Sequence, residues 1–252
     1  MRYTVLTYIF GDYECVHEVE EKDPEADYVL VTDRNELHSD TWRIVLDDMP
    51  GMTAMEKCYF VRFHPFHYAK TELCIRLDAS IAIHKSLGMF IDKMEDGDYD
   101  RCLMVHPFRD SVFMEYSEWA RRKGYPPKQA ERCTDVIKRL GYKEGYRGLF
   151  QMSFEVVRDN RVNDDINEIA YRLLRYVALD DTIDRIDQTM TSFVINHLYC
   201  DKLKVLPVSQ DIICQSPLMQ WYSHKSYTKQ RRWRVKVPPM MFDRQCETWN
   251  PA

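Results

Sequence analysis

No C-x-x-C pair occurs among the eight cysteines, which are scattered at positions 15, 58, 74, 102, 133, 200, 214 and 246. A chain of 252 residues can bury a sizeable core without a disulfide framework, so a reducing compartment, the cytoplasm, is the expected location. Glycine is scarce, 8 residues in all, and neither G-x-G-x-x-G nor a Walker-type loop is present. If phosphate is bound, something other than a glycine-rich cradle must neutralise it. No apolar run is long enough to span a bilayer. The opening MRYTVLTYIFGDYE has one Arg and a brief apolar stretch, but acid follows at once and no small-residue cleavage site appears, so no signal peptide is expected. There is no excess of positive charge: a net charge of -5 speaks against a general nucleic-acid binder. Internal repeats, low-complexity blocks and clear linkers are missing as well.

What is present has the composition of a soluble globular enzyme, 45% hydrophobic and 30% charged. Strand-like runs, rich in Val, Ile, Thr and Tyr, are expected at Tyr3 to Phe10, Asp27 to Thr32, Trp42 to Leu46, Leu73 to Leu77, Arg101 to Val105, Phe150 to Val157 and Lys204 to Pro207. Thr53 with Glu56 three residues on is a capping-box signature, so a helix should run from Thr53 toward His64-Pro65. Further helices are expected at Ser86 to Met94, Ser111 to Arg122, from Pro126-Pro127 to Gly141, Asn163 to Tyr176 and Thr182 to Leu198. Strands alternating with helices argue for an α/β fold with a mainly parallel central sheet flanked by helices. We read 1–252 as a single catalytic domain whose basic, aromatic tail, 208–252, packs on or near the active site.

The stretch KTELCIRLDASIAI, Lys70 to Ile83, organises this reading. A short buried strand runs into Asp78-Ala79-Ser80, and the period-two alternation of extended chain puts a carboxylate and a hydroxyl on one side. Hard cations such as Mg²⁺ or Mn²⁺ favour oxygen ligands, often only one or two from protein. Open α/β sheets also bind ligands at the ends of their strands. The alternative is that Asp78 simply opens a turn.

Several segments share an order with a known family. They are Thr32-Asp33, a basic helix segment with Lys57, Arg62 and His64-Pro65, and the strand-D-x-S element. An H-P-x-R-D stretch, His106 to Asp110, follows with Glu115 behind it, and then a late Asp187-Gln188. Over roughly Tyr3 to Leu198 the chain resembles a GT-A (Rossmann-like) glycosyltransferase. Within that group it is most similar to the glycosyltransferase-like domain family of plant mucilage- and turgor-related proteins, with bacterial and viral members.

The resemblance implies a nucleotide-sugar donor, a UDP-sugar first of all, a glycan or other hydroxyl acceptor, and assistance by Mn²⁺ or Mg²⁺. It implies that Thr7, Tyr8 and Asp33 face the nucleoside and that Lys57 and Arg62 lie near the diphosphate or sugar. Asp78 and Ser80 would form the D-x-D-like element, with Ser80 departing from its second acid. His106, Arg109 and Glu115 would shape the sugar or acceptor pocket. Asp187 would act as base or sugar-positioning carboxylate beside Gln188, the family's preceding Arg being displaced to Arg185. A late histidine, His224, would complete the metal set of Asp78 and Ser80. Each has a plainer reading: Asp187 as helix-start acid, His224 as a surface residue, Arg109 as a structural ion pair with Asp110, Tyr116 and Trp119 as core. The basic run TKQRRWRVK either closes over a diphosphate, meets an anionic membrane face as a peripheral contact, or is a solvated tail.

Two other classes stay open. A non-catalytic glycan- or protein-binding module on a degenerate transferase fold is motivated by Ser80. A sugar-phosphate nucleotidyltransferase is disfavoured, because Thr7 to Glu18 holds no glycine-rich phosphate loop with a following Arg.

Overall fold

The computed structural model describes residues 1–121, 127–178, 187–214, 216–222 and 224. Its strands are β1 (Tyr3–Ile9), β2 (Ala26–Thr32), β3 (Arg43–Leu46), β4 (Leu73–Leu77), β5 (Ile81–Ile83), β6 (Arg101–Val105), β7 (Phe150–Arg158), β8 (Val205–Val208) and β9 (Met219–Trp221). Its helices are α1 (Ala54–Phe63), α2 (Gly88–Asp96), α3 (Val112–Arg121), α4 (Pro127–Arg139), α5 (Arg161–Val177), α6 (Asp187–Phe193) and α7 (Asp211–Cys214). A single π-helical turn, Val194–Leu198, continues α6.

Seven strands form one sheet in the order β3-β2-β1-β4-β7-β6-β8, and β5 pairs with β9 in a separate two-stranded sheet. Within the large sheet β7 alone runs antiparallel to its neighbours β4 and β6. The expected mainly parallel α/β sheet is therefore present. Every residue of β1 and β4 is buried, because helices cover both faces of the sheet. Alternation sorts the side chains: Tyr3, Val5 and Ile9 join Ile75, Leu77, Phe154 and the apolar stripe of α2. Leu6, Tyr8 and Phe10 point the other way, toward Val61 of α1. A third cluster joins Leu103 and Met152 to α3, α4, α5 and α6.

Arg76, Arg101 and Glu155 sit at the centre of this apolar mass, all fully buried. Glu155 accepts from Arg76 Nε at 2.5 Å and from Arg101 Nη2 at 2.7 Å. Arg101 also donates to Asn167 Oδ1 of α5. Burial works to raise the Glu155 carboxyl, but the charges and hydrogen bonds of Arg101 and Arg76 outweigh it and hold it below the ordinary value.

Sequence-based boundaries agree within about two residues for most elements. Strand β3 starts at Arg43 rather than Trp42, since the Trp42 indole turns inward and donates to His17 O at 2.8 Å. Helix α2 starts at Gly88 rather than Ser86, whose hydroxyl instead accepts the Gly88 N–H. The expected helix from Thr182 falls partly outside the described residues, which resume at Asp187, and Arg185 is outside them too. Of the tail, residues 225–252 with the TKQRRWRVK run lie outside the described residues. No described helix is long and apolar enough to cross a membrane.

Candidate functional site

Because β1, β4 and β6 run the same way, their C-terminal ends share one edge of the sheet. Residues just beyond those ends meet there in a cleft of about 520 Å³, a usual size for a small-molecule site. Tyr8 comes from β1, Asp78 and Ser80 follow β4, and His106 and Arg109 follow β6. Arg62 comes from α1, Glu115 from α3, and Asp187 and Gln188 from the first turn of α6.

The capping box expected at Thr53 sets the register of α1. Thr53 Oγ1 accepts the Glu56 N–H, and the Glu56 carboxylate accepts the Thr53 N–H at 2.8 Å. Cys58 and Arg62, one turn apart, then share the cleft-facing side of the helix. Arg62 uses three nitrogens on three partners. Nε donates to Tyr8 Oη at 2.9 Å, Nη2 pairs with Asp78 Oδ1 at 2.7 Å, and Nη1 pairs with Asp187 Oδ2. The rings of Tyr8 and Tyr59 each lie 5.9 Å from its guanidinium carbon. Burial pushes the Tyr8 hydroxyl up to about 12, although Arg62 and Arg76 pull it down, so Tyr8 remains a neutral phenol. Burial likewise pushes the Cys58 thiol up to about 12, which removes it as a nucleophile.

A second charge cluster lies beside the first. Glu115 pairs with Arg109 Nε and accepts from Trp119 Nε1 and Gln188 Nε2, each at 2.8 Å. His106 Nδ1 accepts the backbone N–H groups of Phe108 and Arg109, which curls the H-P-F-R turn around its own histidine. His106 Nε2 lies 3.0 Å from Arg109 Nη2. Adjacent residues thus tie the two clusters together: Asp187 to Arg62, and Gln188 to Glu115. Arg109 is paired with Glu115; the carboxylate of Asp110 goes to Arg147 instead, at 2.8 Å. Trp119 lines the cleft, whereas Tyr116 is core.

Not every expected site residue reaches the cleft. Thr7, Asp33 and Lys57 are not among its lining residues. Thr7 Oγ1 donates to Leu77 O, joining β1 to β4. Lys57 Nζ pairs with Asp33 Oδ2 at 2.8 Å, and Asp33 Oδ1 accepts the N–H of Gly11, whose φ of +59° suits glycine. Thr7 thus ties β1 to β4, and the Lys57–Asp33 pair ties α1 to the end of β2.

The anticipated metal set of Asp78, Ser80 and His224 does not fit as three waiting ligands. Asp78 holds Arg62. Ser80 is buried and accepts the Trp221 indole N–H at 3.0 Å. His224 lies 2.7 Å from Glu14 Oε2 through Nδ1 and 2.9 Å from Tyr13 Oη through Nε2. The group of His, Cys, Asp and Glu side chains whose ligand atoms converge, among the described residues, is Glu14, Cys15 and His17.

Glu14 and Gln151 carried no signal in the sequence, while Gln210 and Trp221 were covered only by the general expectation that 208–252 packs on or near the site. Glu14 sits in an acid-rich loop, and β9, which delivers Trp221, is too short to announce itself. No protein-family model and no curated protein matches the chain.

Proposed function

We propose that this protein transfers a sugar from a nucleotide-diphosphate sugar, a UDP-sugar first of all, to a hydroxyl acceptor such as a glycan. The observation that carries the reading is the pairing of Asp78 and Asp187, 109 residues apart in sequence, on the single guanidinium of Arg62 inside the cleft. In the reaction the acceptor oxygen bonds to the anomeric carbon, the bond from that carbon to the diphosphate breaks, and the acceptor proton passes to the departing diphosphate or, where the configuration inverts, to a carboxylate base. To take that proton Asp187 must loosen its pair with Arg62, so the pairing favours Asp187 as a sugar-positioning carboxylate. The lining carries four carboxylates (Glu14, Asp78, Glu115, Asp187) against two arginines (Arg62, Arg109). A diphosphate entering such a lining needs added positive charge; Mn²⁺ or Mg²⁺ would supply it, with Asp78 as the lining carboxylate of the expected set that would meet the ion. His106, Arg109 and Glu115 form the wall for sugar or acceptor. A location in the cytoplasm and a peripheral membrane contact belong to the same proposal.

The test is donor turnover with UDP-, GDP- and dTDP-sugars, with and without Mn²⁺, preceded by a thermal-shift screen of the same ligands. Asp78→Ala and Asp78→Asn should abolish turnover while melting cooperatively. Full activity in either variant rejects the proposal. A second reading, a glycan-binding module without catalysis, is favoured by one observation: the hydroxyl of Ser80, which stands where a second acid would be, is already held by the Trp221 indole. Mn²⁺-dependent hydrolysis of a donor sugar without acceptor would exclude it.

A further inference from the structure

The loop between β1 and β2 places three side chains of different donor type at one point. Cys15 Sγ lies 3.6 Å from Glu14 Oε1 and 4.0 Å from His17 Nε2, and the three ligand atoms are mutually within 4.8 Å. Around a tetrahedral Zn²⁺ with ordinary Zn–S, Zn–N and Zn–O lengths, neighbouring ligand atoms stand about 3.5 Å apart. The Cys15–Glu14 and Cys15–His17 separations therefore need to close by about 0.5 Å or less, and the Glu14–His17 separation, within 4.8 Å, by at most about 1.3 Å, a matter of side-chain torsions.

The loop itself is held on both sides. The Trp42 indole donates to His17 O, the Val19 N–H donates to Thr41 Oγ1 at 3.0 Å, and the Glu20 N–H donates to Ile83 O at 3.0 Å. The His17 ring stacks on Tyr222 with centroids 5.1 Å apart, which sets its plane. Glu14 and His17 are buried, with Glu14 only 3% exposed. The second oxygen of Glu14 meets His224 Nδ1 at 2.7 Å. Such a carboxylate–histidine partner orients ligands in the shell around a bound metal.

We propose that Glu14, Cys15 and His17 bind a borderline transition-metal cation, Zn²⁺ or Co²⁺ in kind, with His224 orienting the Glu14 carboxylate. A thiolate beside an imidazole selects such ions over Mg²⁺ and Ca²⁺, which prefer oxygen alone. Thiolate and carboxylate together supply two negative charges against the two positive charges of the ion. Three protein ligands are the number found where a metal keeps one position for water or substrate. Glu14 and His224 line the cleft, so the site opens on the same space as Asp78 while using none of its ligands. It stands whether or not the transferase reading does.

The probe is Co²⁺ alone, titrated into the full chain. One equivalent should bind, give a sulfur-to-cobalt charge-transfer absorption with visible d–d bands, and be displaced by Zn²⁺. Cys15→Ser should lose the sulfur band, His17→Ala should lose tight binding, and Cys200→Ser should change neither. His224→Ala should weaken the metal about 10–100-fold. Because a variant can lose its fold, the unaltered protein is also alkylated with and without Zn²⁺ and the modified peptides are identified. Zn²⁺ should protect Cys15 and leave Cys200 labelled. A sulfur band that survives Cys15→Ser, no cobalt uptake by the full chain, or equal labelling of Cys15 with and without Zn²⁺ would each overturn the site. None of these readouts depends on Asp78 or on donor turnover.

Discussion

Removing the Arg62 guanidinium leaves Tyr8, Asp78 and Asp187 without their shared cation, and two of those groups are nearly buried. Breaking a buried pair from one side leaves an uncompensated charge, so Arg62→Met should lower the unfolding free energy by about 3–5 kcal/mol in denaturant melts. Arg62→Lys should recover little, because an ammonium cannot reproduce the planar fork that meets three partners at once. A loss under about 1 kcal/mol in Arg62→Met would show that the two acids are solvated and the clamp is weak. Ser80 presents the opposite case, a hydroxyl whose departure from a D-x-D pattern reads in sequence as a lost metal ligand. In the fold it holds the Trp221 indole. Ser80→Ala removes that acceptor from a buried N–H, a cost of about 1–3 kcal/mol, whereas Ser80→Ala with Trp221→Phe should recover part of it. A double-mutant cycle measured by thermal unfolding checks the coupling.

Among the elements, α1 depends most on a local signal. Thr53→Ala removes one half of its capping box and should cost about 1 kcal/mol by chemical denaturation. Since the same helix carries Cys58 and Arg62 to the cleft, fraying of its first turn should also weaken ligand binding. Strand β9 is the contrasting element. Its three residues have no independent tendency to extend; pairing with β5, from Ile81↔Trp221 to Ile83↔Met219, orders them. The π-helical turn after α6 brings Asn196 under Gly148, with Nδ2 donating to Gly148 O at 2.6 Å. Gly148 has φ +107°, and an added Cβ would fall 2.5 Å from that same nitrogen. Gly148→Ala is accordingly expected to melt at lower temperature, through both backbone strain and loss of this contact. An unchanged melting temperature would mean that the loop shifts freely.

For the molecule as a whole, the Arg76–Glu155–Arg101 triad joins β4, β7 and β6 where no water reaches. The Glu155 carboxyl is held below its unfolded value of 4.5, so its contribution to stability is complete above that pH and is lost as pH falls through the lower folded value. Acid unfolding should therefore steepen below about pH 4.5. Glu155→Gln should abolish this part of the pH dependence while costing about 3–5 kcal/mol at neutral pH, since two buried guanidinium groups lose their counter-charge. Equal acid profiles for the two proteins would disprove the assignment. The strands, the capped helix and the α/β layering were legible in the sequence because each follows from period-two alternation, capping chemistry and apolar stripes within a few residues. The cleft also holds Tyr8, Arg62, Asp78, His106, Arg109, Glu115, Asp187 and Gln188, which only the resemblance to a family, and no local pattern, had placed near one another. The absence of Thr7, Asp33 and Lys57 from the cleft lining, the engagement of Ser80 by Trp221, and the meeting of Glu14 with His224 were not legible. Local sequence determines which residues lie on which face of a strand or helix, since that depends on near neighbours. Which charged group holds which is decided only when strands far apart in sequence pair at one sheet edge, because an ion pair needs contact within a few ångströms and no local pattern encodes that distance.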